Sequence, residues 1–448
     1  MFNRNYKIFY LYFIFFISVA ILTYLYGSMI LDKHPYYIDQ FNNMVFSRIP
    51  FDYGELTVNL KNSKEYFLTY SILFPELEDM RFYTARYPLI SILISTLSSI
   101  SENFYFIIVT KNLLFFSIFF WSAYYYTKYN NHNKIQFFII LILIFYNPYN
   151  FHVASNWYFA DFANALLLPC FYLILVSKVP YKDLIIFCLL IVLFFSKSSM
   201  TVFCFIFPFV ILVNEFIYRK KIVFLPILAI IFSSIIWGGH SYNKTGYFAF
   251  FLNSSSFSQL QLSLAQNERF NKIYPQLSID VLQYTLLDTY KEKEKYGISE
   301  IKDEWDFNRL FKNRNKIYIK ENFEQVVFDA FLKLKFILFG FKKDAGNIQD
   351  YEKNEINYFM ILNKIILNIS IFFVISNLIK KIIMKKKPLE EIYFIFILGL
   401  IIPVYLIGWV TSKHLVGICN TAALYLFVNY NFMRLNYKIF NFYKNVKR

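Results

Sequence analysis

Cysteine is scarce in this chain and is badly placed for chemistry. Cys170, Cys188, Cys204 and Cys419 all lie inside apolar runs and form no CxxC pair. Neither a zinc site nor a disulfide framework is indicated. The five histidines show no HExxH-like spacing, so the helical zinc-protease pattern is missing too. Internal repeats and low-complexity linkers are absent. Charge is thin, at 17% of residues, and weighted to one sign: 46 Lys and Arg against 30 Asp and Glu, a net +16. The basic residues cluster beside apolar segments, which is the pattern of cytoplasmic anchoring and not of a nucleic-acid groove.

What the chain has in abundance is apolar sequence. It is 57% hydrophobic with a mean hydropathy of +0.40. Runs near the roughly 20 residues that cross a bilayer recur from end to end. This is the composition of an all-α polytopic membrane protein. The first run, Ile8 to Tyr26, follows Arg4 and Lys7. It is too long for a signal-peptide core and has no clear small-residue cleavage site, so it reads as a retained anchor.

About ten transmembrane helices are expected, near 8–27, 105–126, 135–149, 160–177, 183–197, 200–218, 222–239, 358–379, 391–410 and 415–432. Their connections carry the basic residues: "TKYNNHNK" (127–134), "SKVPYK" (177–182), "YRKK" (218–221), "KKIIMKKK" (380–387) and the tail "YKNVKR". With ten passes all of these fall on one side, and both termini are cytoplasmic. Two amphipathic stretches, 88–100 and 326–341, are placed along the outer membrane surface. Letting only the first cross would move "YRKK" outside.

Three regions follow: an N-terminal transmembrane core, 1–239, with a long outer loop at 27–103; a second large outer region, 240–357; and C-terminal helices with a basic tail, 358–448. Loops of this size are usually functional, and these two hold most of the acidic residues. The stretch "LLIVLFFSKSSMTVFCFIFPFV" is read as two helices with Lys197 at their outer turn, against the positive-inside trend. Lys413 in "WVTSKHLVG" does the same, with His414 beside it. "NPYNFHVASNWYFAD" brings His152, Trp157 and Asp161 to that face. The first outer loop adds Asp32, His34, Asp39, Arg81 and Arg86, and the second opens with His240, Asn243 and Lys244.

Each residue also has a plain reading. Lys197 alone fits snorkelling to the headgroups, and a single loop Asp fits a solvated carboxylate. Trp157, Trp237 and Trp409 fit an aromatic belt. "NKT" and "NSS" match a glycosylation acceptor pattern, a weak motif. As a set, however, these residues gather carboxylates and cations on one face. Lysines there suit a lipid-linked phosphate, and a nearby carboxylate suits proton removal from an acceptor hydroxyl.

The order of features resembles the GT-C integral-membrane glycosyltransferases, the group that includes the aminoarabinose transferase of lipid A and the protein mannosyltransferases. The resemblance rests on "YYIDQFNNMVFSRIP" after the first helix, "ARYPLISIL" before an amphipathic helix, "NPYNFHVASNWYFAD", "FSKSSM", "YNKTGYF" and "SKHLVG". It implies that Asp39 is the base and Asp161 the second acidic position, which in some relatives helps bind a divalent metal. Lys197, Lys413, His414 and Arg86 would face the donor phosphate. The pattern departs from the family in having Lys at both basic positions, no Pro after Lys197 and no "WWD" element.

What the resemblance implies is an inverting transfer from a polyprenyl-phosphate sugar to a glycan, lipid or protein acceptor. The place would be the outer face of a bacterial cytoplasmic membrane. No nucleic acid is involved, and membrane lipid is the surrounding partner. The alternatives from other classes are an O-antigen-type polymerase or ligase and a lipid-linked sugar transporter. Against the transporter stands the lack of an internal repeat or matched broken helices.

Overall fold

The computed structural model describes residues 2–33, 53–69, 74–77, 79–130, 134–145, 150, 159–270, 279–339, 355–407 and 412–429. Among them the chain is mainly helical, and the sole β pairing is an isolated bridge between Leu68 and Phe82. In chain order the helices are α1 (Phe2–Lys33), α2 (Tyr53–Ser63), α3 (Leu89–Ile100), α4 (Phe104–Tyr129), α5 (Lys134–Phe145) and α6 (Phe159–Val176). There follow α7 (Lys182–Ser196), α8 (Thr201–Arg219), α9 (Leu225–Thr245), α10 (Ser256–Phe270) and α11 (Ile279–Lys291). The last five are α12 (Glu304–Glu321), α13 (Phe323–Phe339), α14 (Glu355–Ile383), α15 (Leu389–Ile407) and α16 (Ser412–Asn429).

Helices stand at all ten expected membrane positions, and helices α3 and α13 form on the two amphipathic stretches. Six of the described helices are long and apolar enough to cross a bilayer: α1, α4, α9, α14, α15 and the stretch Ser198–Arg219 that contains α8. The bundle has the inside-out surface of a membrane protein. On α1, Phe9, Phe13, Ile17 and Ile21 recur at every fourth residue and point outward, while Phe15 and Val19 turn into the core. A stripe of this spacing covers one helix face.

The basic connections meet at one end. The Lys178 amide donates to Asn130 Oδ1 at 3.1 Å. Lys221 pairs with Asp183 at 2.8 Å, and Glu215 lies between Arg219 (3.0 Å) and Lys182 (3.7 Å). Lys381 pairs with Glu391 at 2.8 Å, and Lys387 donates to the Tyr218 carbonyl. Thus the turns after α4, α6, α8 and α14 are tied together.

At the opposite end the two outer regions share one apolar core. Leu56, Tyr66, Leu68, Phe74 and Phe82 from the first pack with Leu262, Leu286, Phe307, Leu310 and Phe311 from the second. Accordingly 240–357 is not a unit by itself. Nor does that region begin at 240: α9 continues to Thr245 and stops at Gly246, whose φ of 73° closes the helix in the left-handed region. Helix α12 starts where the Asp303 carboxylate accepts the Trp305 and Asp306 amides, both at 2.8 Å.

Candidate functional site

The site is built at the non-basic end of the bundle. Helix α7 stops at Ser196, Lys197 is extended, Ser198–Met200 form one tight turn, and α8 begins at Thr201. The long apolar run is therefore two helices, with Lys197 half-buried at their turn. Ser196 Oγ donates to Asn164 Oδ1 at 2.7 Å, which pins this turn to α6. Helix α16 meets the same place. A Cβ at Gly417 would lie 2.8 Å from the Asn164 carbonyl oxygen, so the two helices touch backbone to backbone there.

This junction gathers three candidates. Asp161 stands three residues before Asn164 in the first turn of α6. Lys413 and His414 stand in the first turn of α16, within four residues of Gly417. Each is roughly one helical turn from the junction. The side chains of Asp161, Lys413 and His414 lie outside the described residues, as do Asp39, His34, His152, Trp157 and Trp409. Helices α6 and α16 both start here, so their free amides and positive dipole ends share this end of the bundle with Lys197. Two buried polar atoms at the junction have no hydrogen-bond partner, Asn164 Nδ2 and Ser199 Oγ. Such groups are costly to leave unsatisfied.

One charge at this depth escaped the sequence reading. Lys111 on α4 has no exposed surface. Helix α4 runs alongside α6 in the same direction, in a register set by Ser122 at Cys170 and Asn130 at Lys178. That offset places Lys111 level with Phe159, at the start of α6. The signal was visible: a lysine inside "FIIVTKNLLFF" is an intramembrane charge, which by default marks function. Lys364 on α14 was missed too. It is buried, donates to the Phe336 carbonyl at 2.9 Å and lies 4.1 Å from the Phe336 ring.

Over the turn lies the segment Thr84–Pro88. The Tyr87 ring packs on Phe194 and Trp237, with centroids 5.1 and 4.7 Å away. Tyr87 OH takes a hydrogen bond from Thr201 at 3.2 Å and gives one to the Phe251 carbonyl at 2.7 Å. Arg86 is buried and donates to the Ala85 carbonyl and to Ser255 Oγ. It therefore sits inside the joint between the two outer regions. Trp237 is no belt anchor: it is 1% exposed and its indole donates to the Leu252 carbonyl at 2.9 Å. The "NSS" motif is buried as well, because Asn253, Ser254 and Ser255 face this joint. His240 Nε2 lies 3.2 Å from the Tyr83 carbonyl.

Beside the joint a groove of about 520 Å³ opens, lined by Glu76, Asp79, Arg81, Tyr83, Lys244 and Glu304 among others. For a divalent ion the resemblance offers Asp161. Among the described residues no three His, Cys, Asp or Glu side chains converge, and the Asp161 side chain is not one of those described.

Among the described residues the fold is that of an all-helical, multi-pass membrane protein with a second, smaller apolar core at one end of its bundle. No protein-family model, no curated protein and no solved structure matches the chain.

Proposed function

We propose that this is a membrane glycosyltransferase, GT-C-like in fold, moving a sugar from a polyprenyl-phosphate carrier to an envelope acceptor. One observation carries the reading. The α7–α8 turn with Lys197, and the starts of α6 and α16 with Asp161 and Lys413, meet at a single end of the bundle under the outer unit. Two lysines and two helix starts make a seat for a phosphate whose polyprenyl chain remains in the bilayer. Buried Lys111 stands at the same depth, level with the start of α6.

In the reaction, the acceptor oxygen attacks the anomeric carbon and the carbon–oxygen bond to phosphate breaks. The phosphate keeps the electron pair, and Asp39 takes the acceptor's proton. Direct displacement inverts the anomeric centre. The acceptor, a glycan, lipid or protein, enters from the aqueous side beside the Tyr83 groove. The reading includes ten passes, both termini in the cytoplasm and a bacterial inner membrane. Its support is the gathering of four basic turns at the far end, where the positive-inside rule sets the cytoplasm.

The test is release of polyprenyl phosphate by purified protein in nanodiscs from a panel of polyprenyl-phosphate sugars. Release that is lost in Asp39→Asn and in Lys197→Ala supports the reading. Absence of release from every donor, by folded protein, sinks it in favour of the polymerase or transporter.

A further inference from the structure

Thr84 and Ser254 come from different outer regions, and one carboxylate holds both. Glu304 at the start of α12 is 1% exposed. Its Oε2 accepts the Thr84 amide at 3.0 Å and the Ser254 hydroxyl at 2.7 Å, and its Oε1 accepts the Thr84 hydroxyl at 3.0 Å. The Ser254 amide donates to the Thr84 carbonyl at 3.1 Å, and Ser255 Oγ donates to the Ala85 carbonyl at 2.7 Å. Tyr66 OH donates to the Arg86 carbonyl at 2.9 Å. Residues 84–86 therefore lie along 253–255 with Glu304 closing the pair. Arg86 and Tyr87 continue directly from this clasp onto the Lys197 turn.

We propose that Glu304 is a positioning residue whose carboxyl, by taking or losing one proton, closes or loosens the 84–87 arm over the Lys197 turn. The role of the arm in the reaction rests on the transferase reading; the clasp itself does not. Burial is the main cause acting on Glu304 and pushes its carboxyl up to about 7, against the lowering effect of the Ser254 and Thr84 hydrogen bonds. Asp303, next to it on the chain, pushes the same way. The other charged groups around it are Arg86 on the arm, Lys302 before α12 and Lys244 on α9, and the titratable imidazole of His240 is also on α9. Glu76, Asp79 and Arg81 line the groove that Glu304 also touches.

The sign follows from the raised value. A carboxyl at 4.5 when loose and about 7 when closed favours closure while protonated. That preference is full below 4.5 and is lost as pH rises through about 7. The closed-to-loose ratio should fall on the order of a hundredfold across that window.

The reporters are already in the clasp, since the Thr84 and Ser254 amides are both bonded within it. The experiment is hydrogen exchange of the full chain in nanodiscs between pH 5 and 8.5, corrected for intrinsic amide chemistry. Protection at Thr84 and Ser254 should drop on the order of a hundredfold as pH rises, with the fall centred at about pH 6 on a logarithmic scale and level above about 7. Glu304→Gln, a neutral isostere, should stay protected across the range. Ser254→Ala, which removes a donor to the carboxylate, should move the midpoint to higher pH. His240→Gln should leave the wild-type profile unchanged. A flat wild-type profile, or a slope kept by Glu304→Gln and lost in His240→Gln, overturns the proposal. Donor turnover measured in parallel separates the two readings. If the exchange profile is as expected but no donor is used, the clasp stands and the transferase falls. If donor is used with pH-independent KM and flat exchange, the transferase stands and the clasp falls.

Discussion

The two ends of the bundle handle charge in opposite ways. At the basic end cations meet carboxylates at contact distance: Lys221 with Asp183, Arg219 and Lys182 with Glu215, Lys381 with Glu391. That end is an ion-pair network to which Tyr393 OH adds a hydrogen bond to Glu215 at 3.2 Å, while Lys182 Nζ and Glu391 Oε1 are buried there without hydrogen-bond partners. The other end assembles Lys197 at a turn, Lys111 in a membrane helix and the starts of α6 and α16. It also leaves Asn164 Nδ2 and Ser199 Oγ buried without partners. Ion pairs at contact distance hold the helices together at the basic end. Buried polar atoms without hydrogen-bond partners occur at both ends, so they do not by themselves separate the two roles.

The comparison breaks most visibly in activity. Asp39→Asn should lower donor turnover by about a thousandfold, within the usual range for a lost general base. Lys197→Ala should lower it by about a hundredfold, as for one lost charge-stabilising donor. Lys221→Ala, at the basic end, should leave turnover within about twofold, because an exposed ion pair contributes little. Equal losses from Lys197→Ala and Lys221→Ala would erase the distinction between the ends.

The same contrast should invert when stability is read. Glu215 is 3% exposed and faces two cations and a phenol. Glu215→Ala leaves Lys182 buried without its carboxylate and should cost about 3 kcal/mol. Thermal unfolding in detergent should show that loss, with turnover per folded molecule unchanged. Gly417→Ala comes next. Its new methyl group would meet the Asn164 carbonyl at 2.8 Å, forcing α6 and α16 apart at a cost of about 2 kcal/mol. It should also reduce turnover, since Lys413 starts the displaced helix. A Gly417→Ala protein with normal activity would detach the helix junction from the site.

The parts that were legible in the sequence were those a bilayer dictates. Its thickness sets the length of each apolar run, so the helix positions, and the break at Lys197, could be read directly. Contacts between the outer regions could not. Thr84 and Glu304 are 220 residues apart, and neither segment carries a periodic signal naming the other. For that reason Arg86 looked like a loop cation and proved to be inside a joint. Lys111 was legible but overlooked, because attention to helix turns passes over a charge in a helix interior. Asn164 and Gly417 gave no signal; a small residue at a helix contact becomes meaningful once the partner helix is known.

The smallest expected effect tests the most ordinary residue. By sequence Trp237 is an interfacial anchor, and replacing it with Phe should then cost almost nothing. In the fold its indole N–H donates to the Leu252 carbonyl, one residue before the clasp, while its ring stacks with His240 at 5.7 Å and lies against Tyr87. Trp237→Phe keeps most of the ring packing and removes the donor, so the Leu252 carbonyl loses a buried partner. A loss of about 1 kcal/mol is expected, with faster hydrogen exchange at Ser254 and no change at the Lys381–Glu391 end. Full stability and unchanged exchange would return Trp237 to the membrane surface. They would also leave the arm over Lys197 held by Glu304 and Tyr87 without help from α9.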